Sequence, residues 1–334
     1  MGIIVTRSPM RISIAGGGSD VANFFYKEVG HVVSFAINRF VYVTTLAQPS
    51  FVEDKFKFTY RITESVNNYT EIKHPVVRQA LINYNYQAPL NISTMADLPG
   101  NSGFGSSSAF TCALLMNLNK RLAIDMNVKE LAMHSIEIER LQLKEPGGWQ
   151  DQIVTAHGGV IHIELKNGKF NVTKNIIDKS SIAYLNLRLL AIYTHKTRES
   201  DVPASINESL TNTKSGMQML LENAQIASNL AAKLRLEAGF PEKQFEIMCE
   251  ALKANWEIKK TWGTHMLDSE IEFITSKLES LGVKSYKLSG AGGGGFIIVL
   301  AHPDLHSRIR SMLHKHQIIS LNVASEGTQI RHYE

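Results

Sequence analysis

Residues 97–110 concentrate the phosphate-binding chemistry of this sequence: Asp97-Leu98-Pro99-Gly100-Asn101-Ser102-Gly103-Phe104-Gly105-Ser106-Ser107-Ser108-Ala109-Phe110. Gly103 and Gly105 let the backbone come close to a ligand. The apolar pattern Ala109, Phe110, Ala113, Leu114, Leu118 then opens a helix, and the first N–H groups of a helix have no internal partner. Those groups and the helix dipole together favour an anion, most often phosphate. Ser106, Ser107 and Ser108 add hydroxyls able to meet phosphate oxygens or Mg²⁺. One serine would suffice as a helix cap; three in a row behind glycines point to phosphate binding. A Walker loop would need Lys where Ser106 stands, and neither a Gly-x-Ser-x-Gly elbow nor the protein-kinase motif set occurs.

Three further stretches hold candidate groups. In Arg7-Ser8-Pro9-Met10-Arg11-Ile12-Ser13-Ile14-Ala15-Gly16-Gly17-Gly18-Ser19-Asp20, apolar alternation puts Arg11 on a strand whose other side chains are largely buried. The plainer alternative is an edge-strand arginine reaching water. The glycine run is not a dinucleotide fingerprint, because Val21 stands where its last Gly belongs. Glu137-Ile138-Glu139-Arg140 precedes Pro146-Gly147-Gly148-Trp149-Gln150-Asp151-Gln152. A helix ending in this break can set Asp151 at a cleft, although an ordinary Asx-capped turn has the same composition. Lys287-Leu288-Ser289-Gly290-Ala291-Gly292-Gly293-Gly294-Gly295-Phe296 contains Gly-x-Gly-x-x-Gly but runs into a strand, so the dinucleotide reading fails and a glycine-rich hairpin remains.

The elements that must carry these groups are mixed. Strand patterns cover 3–15, 32–38, 41–47, 90–95 and 160–165, with helices expected at 75–85, 106–122 and 128–143. The second half opens with a strand over 185–193. Helices follow at 204–237, broken once, at 242–261 and at 269–281. A strand–glycine loop–strand unit spans 285–300, then a helix 304–316 and a strand 318–325. Strands and helices without strict alternation predict an α+β fold, with a boundary near 175–185 that divides the chain into 1–180 and 181–334.

The 334 residues, 44% hydrophobic and 20% charged with a net charge of +4, describe an ordinary globular chain of one large or two packed domains. No basic stripe interleaved with aromatics supports nucleic-acid binding. No segment reaches the ~20 apolar residues of a membrane helix. Cys112 and Cys249 fall in helical patterns and read as reduced core residues of a cytoplasmic protein.

The phosphate loop resembles the Pro-x-Gly-x-Gly-Leu-Gly-Ser-Ser-Ala signature of the GHMP kinases, departing from it at Gly100-Asn101, Phe104 and Ser108. Arg7–Asp20 resembles the first motif of the family's sugar-kinase branch, and Lys287–Phe296 its third. The four stretches stand in the family's order. The resemblance implies an N-terminal domain like domain 2 of ribosomal protein S5 and a ferredoxin-like C-terminal domain. It implies ATP and Mg²⁺, with ATP bound by Gly103, Gly105, Ser106, Ser107 and Ser108. Asp151 would orient or accept the substrate hydroxyl proton, and Arg11 would lie near the reacting hydroxyl and phosphate. Glu139 would hold Mg²⁺ with a loop serine, Ser107 being preferred over Ser106 and Ser108. Gly17, Gly18, Ser19, Asp20 and Gly293 would meet the sugar. Together the stretches are most similar to the branch that phosphorylates the C1 hydroxyl of a heptose 7-phosphate. Its distal phosphate would need a cation: Arg198, beside Thr197, is preferred, with Lys259 and Lys260 as alternatives. A neutral-sugar kinase, such as one for fucose, and a catalytically silent sugar/ATP sensor are the competing readings. The expected partner is a small sugar or sugar phosphate, and a homodimer is compatible with it.

Overall fold

The computed structural model of this chain describes residues 2–49, 51–196 and 202–334. Its first layer is built on two long antiparallel strands, β1 (Ile3–Ala15) and β2 (Gly30–Ala47). The sequence pattern suggested two strands where β2 is one. Pro9 pairs with Phe40, and the register shifts between Pro9 and Met10, so a bulge accommodates the residue that has no N–H to donate.

The remaining strands of this sheet are β3 (Phe56–Thr59), β4 (Thr63–Val66), β5 (Leu90–Ala96), β6 (Val160–Lys166) and β7 (Lys169–Lys174). One half of β2 pairs with β5 and the other with β6. Asn167 and Gly168, both at positive φ, close the β6–β7 hairpin, as a tight two-residue turn requires. Helices α1 (Ala22–Phe25), α2 (Pro75–Asn83), α3 (Ser106–Arg121), α4 (Val128–Ile136) and α5 (Gln150–His157) belong to this half. The inner helix α3 buries polar Asn117 as well as its apolar side chains, and Asn117 donates to the Ile4 and Val43 carbonyls of β1 and β2.

The second half contributes α6 (Lys179–Asn186), β8 (Leu189–Tyr193), α7 (Val202–Ser209), α8 (Lys214–Leu236), α9 (Pro241–Lys260), α10 (Ser269–Ser280), β9 (Tyr286–Leu288), β10 (Phe296–Leu300), α11 (Pro303–Met312) and β11 (Ile318–Ser320). The four strands form an antiparallel sheet in the order β11-β8-β10-β9. The strand expected from 185 starts later, because Asp178 caps α6 by accepting from the Ser181 N–H at 2.8 Å. The last strand, β12 (Gln329–Tyr333), returns to pair with β1. Residue 180 falls inside α6, so the chain crosses from the first layer to the second there and back again at β12. One hydrophobic core runs through both halves, and a second lies under the smaller sheet. The arrangement is α+β, and its glycine loops meet where the two halves face each other. Cys112 and Cys249 are free thiols. No described helix is long and apolar enough to cross a membrane.

Candidate active site

Arg11 and Ser13, two apart on β1, point to one face and line a cavity of about 300 Å³. The Arg11 guanidinium forks onto Asp151, with Nε to Oδ1 and Nη2 to Oδ2 both at 2.6 Å. Its third nitrogen, Nη1, donates to the Gly103 carbonyl at 2.6 Å. One side chain thus ties β1, the first turn of α5 and the glycine loop together. Gly105 stands against this pair at φ +71°: a Cβ there would lie 3.1 Å from Asp151 Oδ2 and 3.3 Å from Arg11 Cγ. Directly after Gly105, α3 starts without any side-chain cap, so its leading N–H groups face the cavity beside Ser106, Ser107 and Ser108.

Asp20 closes another wall. Its carboxylate accepts from the Gly18 N–H at 2.8 Å and the Gln150 N–H at 3.0 Å. Burial raises its pKa against these hydrogen bonds, and the nearby Asp151 charge pushes the same way. Gly148 must be glycine here, since a Cβ would sit 1.8 Å from Asp20 Oδ2. Gly17 and Gly18 line the cavity. Ser19 does not: it is fully buried, and its hydroxyl donates to the Gly16 carbonyl at 2.7 Å.

The 287–296 loop covers the phosphate loop. A Cβ on Gly290 would meet Gly103 Cα at 2.8 Å, and Ser289 Oγ donates to the Gly103 carbonyl at 2.9 Å. Gly290 and Ala291 reach the cavity, whereas the Gly293 N–H is used on the His265 carbonyl and Gly293 is not part of the wall. Two buried lysines lie behind the loop. Lys259 donates to the Gly290 carbonyl at 2.7 Å, and burial, with help from Arg11, lowers its pKa to about 8. Lys287 donates to Asn255 Oδ1 at 2.8 Å, and burial lowers its pKa well below the usual lysine value. Asn255 in turn donates to Asn223, which accepts from the Gly16 N–H and donates to the Gly17 carbonyl at 2.6 Å. A buried polar chain therefore runs from β9 through α9 and α8 to the first glycine loop.

Glu139 sits in a π-turn, Glu137–Gln142, where the Leu143 N–H reaches back five residues to the Ile138 carbonyl. It is fully buried and accepts from Ser108 Oγ at 2.8 Å, from Thr111 and from Gln152. Glu139 stops short of the cavity wall, and the Ser108 hydroxyl is what joins it to that wall. Ser107, the preferred magnesium serine from the sequence, is exposed at the rim. Among the described residues no three His, Cys, Asp or Glu side chains cluster as a metal cage. One carboxylate backed by hydroxyls fits Mg²⁺ that takes most of its ligands from water and phosphate.

Arg198 and Thr197 lie outside the described residues. Lys260 is paired with Glu257 at 2.8 Å and does not line the cavity, whereas Lys259 does. Sequence reading assigned no role to Ser13, Arg140, Gln150, Trp262 or Lys287, all of which line it. Ser13 was findable as the next same-face residue after Arg11, and Gln150 as the neighbour of Asp151. Trp262 follows the expected end of a helix, where nothing marks the direction of its ring.

Residues 71–159 match the family model of the GHMP kinases N terminal domain, and residues 236–318 match that of the GHMP kinases C terminal. The chain is 28% identical to the D-glycero-alpha-D-manno-heptose 7-phosphate kinase of Campylobacter jejuni, covering 95% of each. It is 25% identical to the bifunctional fucokinase/GDP-fucose pyrophosphorylase of Arabidopsis thaliana, over 94% of this chain and 31% of that one. Its fold matches the crystal structure of a D-glycero-D-manno-heptose 1-phosphate kinase from Bacteroides thetaiotaomicron with a TM-score of 0.80, 19% identity and 99% of each chain covered.

Proposed function

This chain belongs to the GHMP kinases, and from that premise we propose that it phosphorylates the anomeric C1 hydroxyl of D-glycero-D-manno-heptose 7-phosphate, giving the 1,7-bisphosphate. The coarser statement is plain: it is a sugar kinase with ATP as cosubstrate. The observation that carries the reading is the Arg11–Asp151 pair facing an uncapped helix end across Gly105. A hydroxyl placed on Asp151 can lose its proton to that carboxylate as the oxygen attacks phosphorus. Arg11 supplies fixed positive charge where the oxygens of the transferring phosphoryl group carry negative charge. The α3 N–H groups and Ser106–Ser108 bind the phosphates. When bound, Mg²⁺ would neutralise phosphate charge, and Ser108, positioned by Glu139, or Ser107 would hold it.

The magnesium residues are separable by titration at fixed ATP. Ser108→Ala and Glu139→Gln should together shift half-saturating Mg²⁺ upward, by about 10-fold or more if each tunes the ion as outer partners do. A shift confined to Ser107→Ala would move the ligand to the rim serine. Three variants with the parent curve would remove the assignment.

Lys259 is the described cation best placed for the 7-phosphate, being buried in the wall with one backbone partner. Its folded pKa of about 8 lies below the ordinary lysine value of 10.5. The ammonium therefore loses its proton as pH rises through about 8, and KM for the phosphorylated sugar should climb in that window while KM for unphosphorylated heptose stays level. The sign for stability is opposite. Burying this charge is costly below about pH 8, and that cost fades as pH rises towards 10.5, so Lys259→Met should be no less stable than the parent at pH 7. Turnover of heptose 7-phosphate, unphosphorylated heptose and L-fucose, with products identified by phosphorus NMR, tests the whole reading. Preference for the 7-phosphate, lost in Lys259→Met or Arg198→Ala, supports it. Equal or better use of L-fucose favours the neutral-sugar reading, which the fucokinase relative keeps open.

A further inference from the structure

Three polar atoms in the cavity wall are buried and have no hydrogen-bond partner among the described residues: Ser13 Oγ, Gln150 Oε1 and Trp262 Nε1. A buried polar group left unpaired is unfavourable, so three in one wall need an explanation. Ser13 Oγ and the Gln150 amide meet at Gly17, and the Trp262 ring packs on the adjacent Gly18. A Cβ on Gly17 would lie 3.3 Å from Gln150 Nε2 and 3.5 Å from Ser13 Oγ, and a Cβ on Gly18 would lie 2.8 Å from the Trp262 ring. Gly17 and Gly18 place no side chain between these residues and the cavity that they line.

The other contacts of these side chains leave the same atoms idle. Lys259 Nζ lies 5.3 Å from the centroid of the Trp262 ring, and Gly18 packs on the ring edge away from its N–H. The Gln150 backbone N–H donates to Asp20, and the side-chain oxygen accepts from no described donor.

The chemistry of the set defines its ligand. Trp262 Nε1 only donates, Gln150 Oε1 only accepts, and Ser13 Oγ does both. A ligand satisfying all three must offer donors and acceptors side by side. Vicinal hydroxyls on a sugar ring do this, because each hydroxyl both gives and receives.

We propose that Ser13, Gln150 and Trp262 form the hydroxyl-reading wall of the sugar site and set which ring configuration is accepted. The proposal rests on the sugar-kinase reading and deepens it, since it concerns ring hydroxyls rather than the reacting hydroxyl or a distal phosphate.

The test uses Ser13→Ala, Gln150→Met and Trp262→Phe in the full chain, with D-glycero-D-manno-heptose 7-phosphate as the sugar and L-fucose as its neutral counterpart. KM for the sugar, KM for ATP, kcat and the thermal midpoint are measured. Each variant is expected to raise the sugar KM roughly 2- to 12-fold, the worth of one neutral hydrogen bond. KM for ATP should be unchanged, and Trp262→Phe should keep the parent's thermal midpoint. An unchanged sugar KM in all three variants overturns the proposal. So does an equal rise in both KM values, which would mark the residues as structural only. A parent that phosphorylates L-fucose and not the heptose phosphate overturns the substrate reading alone, and the wall is then scored on the L-fucose KM. A parent that phosphorylates neither sugar, nor unphosphorylated heptose, removes the premise and the wall together.

Discussion

Asp151→Asn is expected to lower kcat by about 10²–10⁴-fold, the usual contribution of a positioned base, with KM for ATP near that of the parent. The amide keeps the shape and volume of the carboxylate. It cannot take a proton, and it presents an NH₂ to Arg11 where an acceptor stood 2.6 Å from Nη2. ATP affinity should survive because the α3 N–H groups and the serine hydroxyls do not depend on that oxygen. Steady-state kinetics with an independent nucleotide-binding measurement separate the two effects. Turnover at the parent's rate would take Asp151 out of the mechanism and revive the silent-sensor reading.

Arg11→Met should cost about 10²–10³-fold in kcat, the size seen when one fixed donor is removed from a developing negative charge. It also leaves Asp151 without its partner at a site that is only 19% exposed, and breaking a buried pair on one side costs about 3–5 kcal/mol. The thermal midpoint should therefore fall along with the rate. Pairing the substitution with Asp151→Asn gives a sharper result. If the two side chains act as one unit, the double variant should be little slower than the worse single variant, and part of the lost stability should return. Losses that simply multiply would mean that Arg11 and Asp151 act independently, despite the fork between them.

Which residues share the candidate cavity was more legible than the short strands around it, and the reason is local. Glycine runs, a serine run and an arginine on an alternating strand are contiguous signals, and the structure brings Arg11, Asp20, Gly105 and Asp151 to one cavity. Helix α8 and its break from α7 were readable because the apolar period is long. Strands β3, β4 and β12 were not. They are four or five residues long, and β12 has a mostly exposed set, Gln329–Tyr333, whose strand character comes from pairing with β1 across the whole chain. The exclusion of Ser19 and Gly293 from the wall was equally hidden. Gly18 and Asp20 on either side of Ser19 line the cavity, as do Gly290 and Ala291 of the later loop, and only the three-dimensional turn decides which of several small residues is presented.

The π-turn at Glu137–Gln142 has a consequence for how this chain lines up with others. A π-turn holds one residue more than the α-turn it replaces, and removing a residue from a helix rotates everything after it by about 100° and shifts it about 1.5 Å. Glu139 lies inside that turn, and its contact with Ser108 is made from the segment that carries the extra residue. A chain that continued as plain α through this segment would present its buried acid one position off in the sequence. An alignment that forbids a gap in helices would pair Glu139 with the wrong residue there.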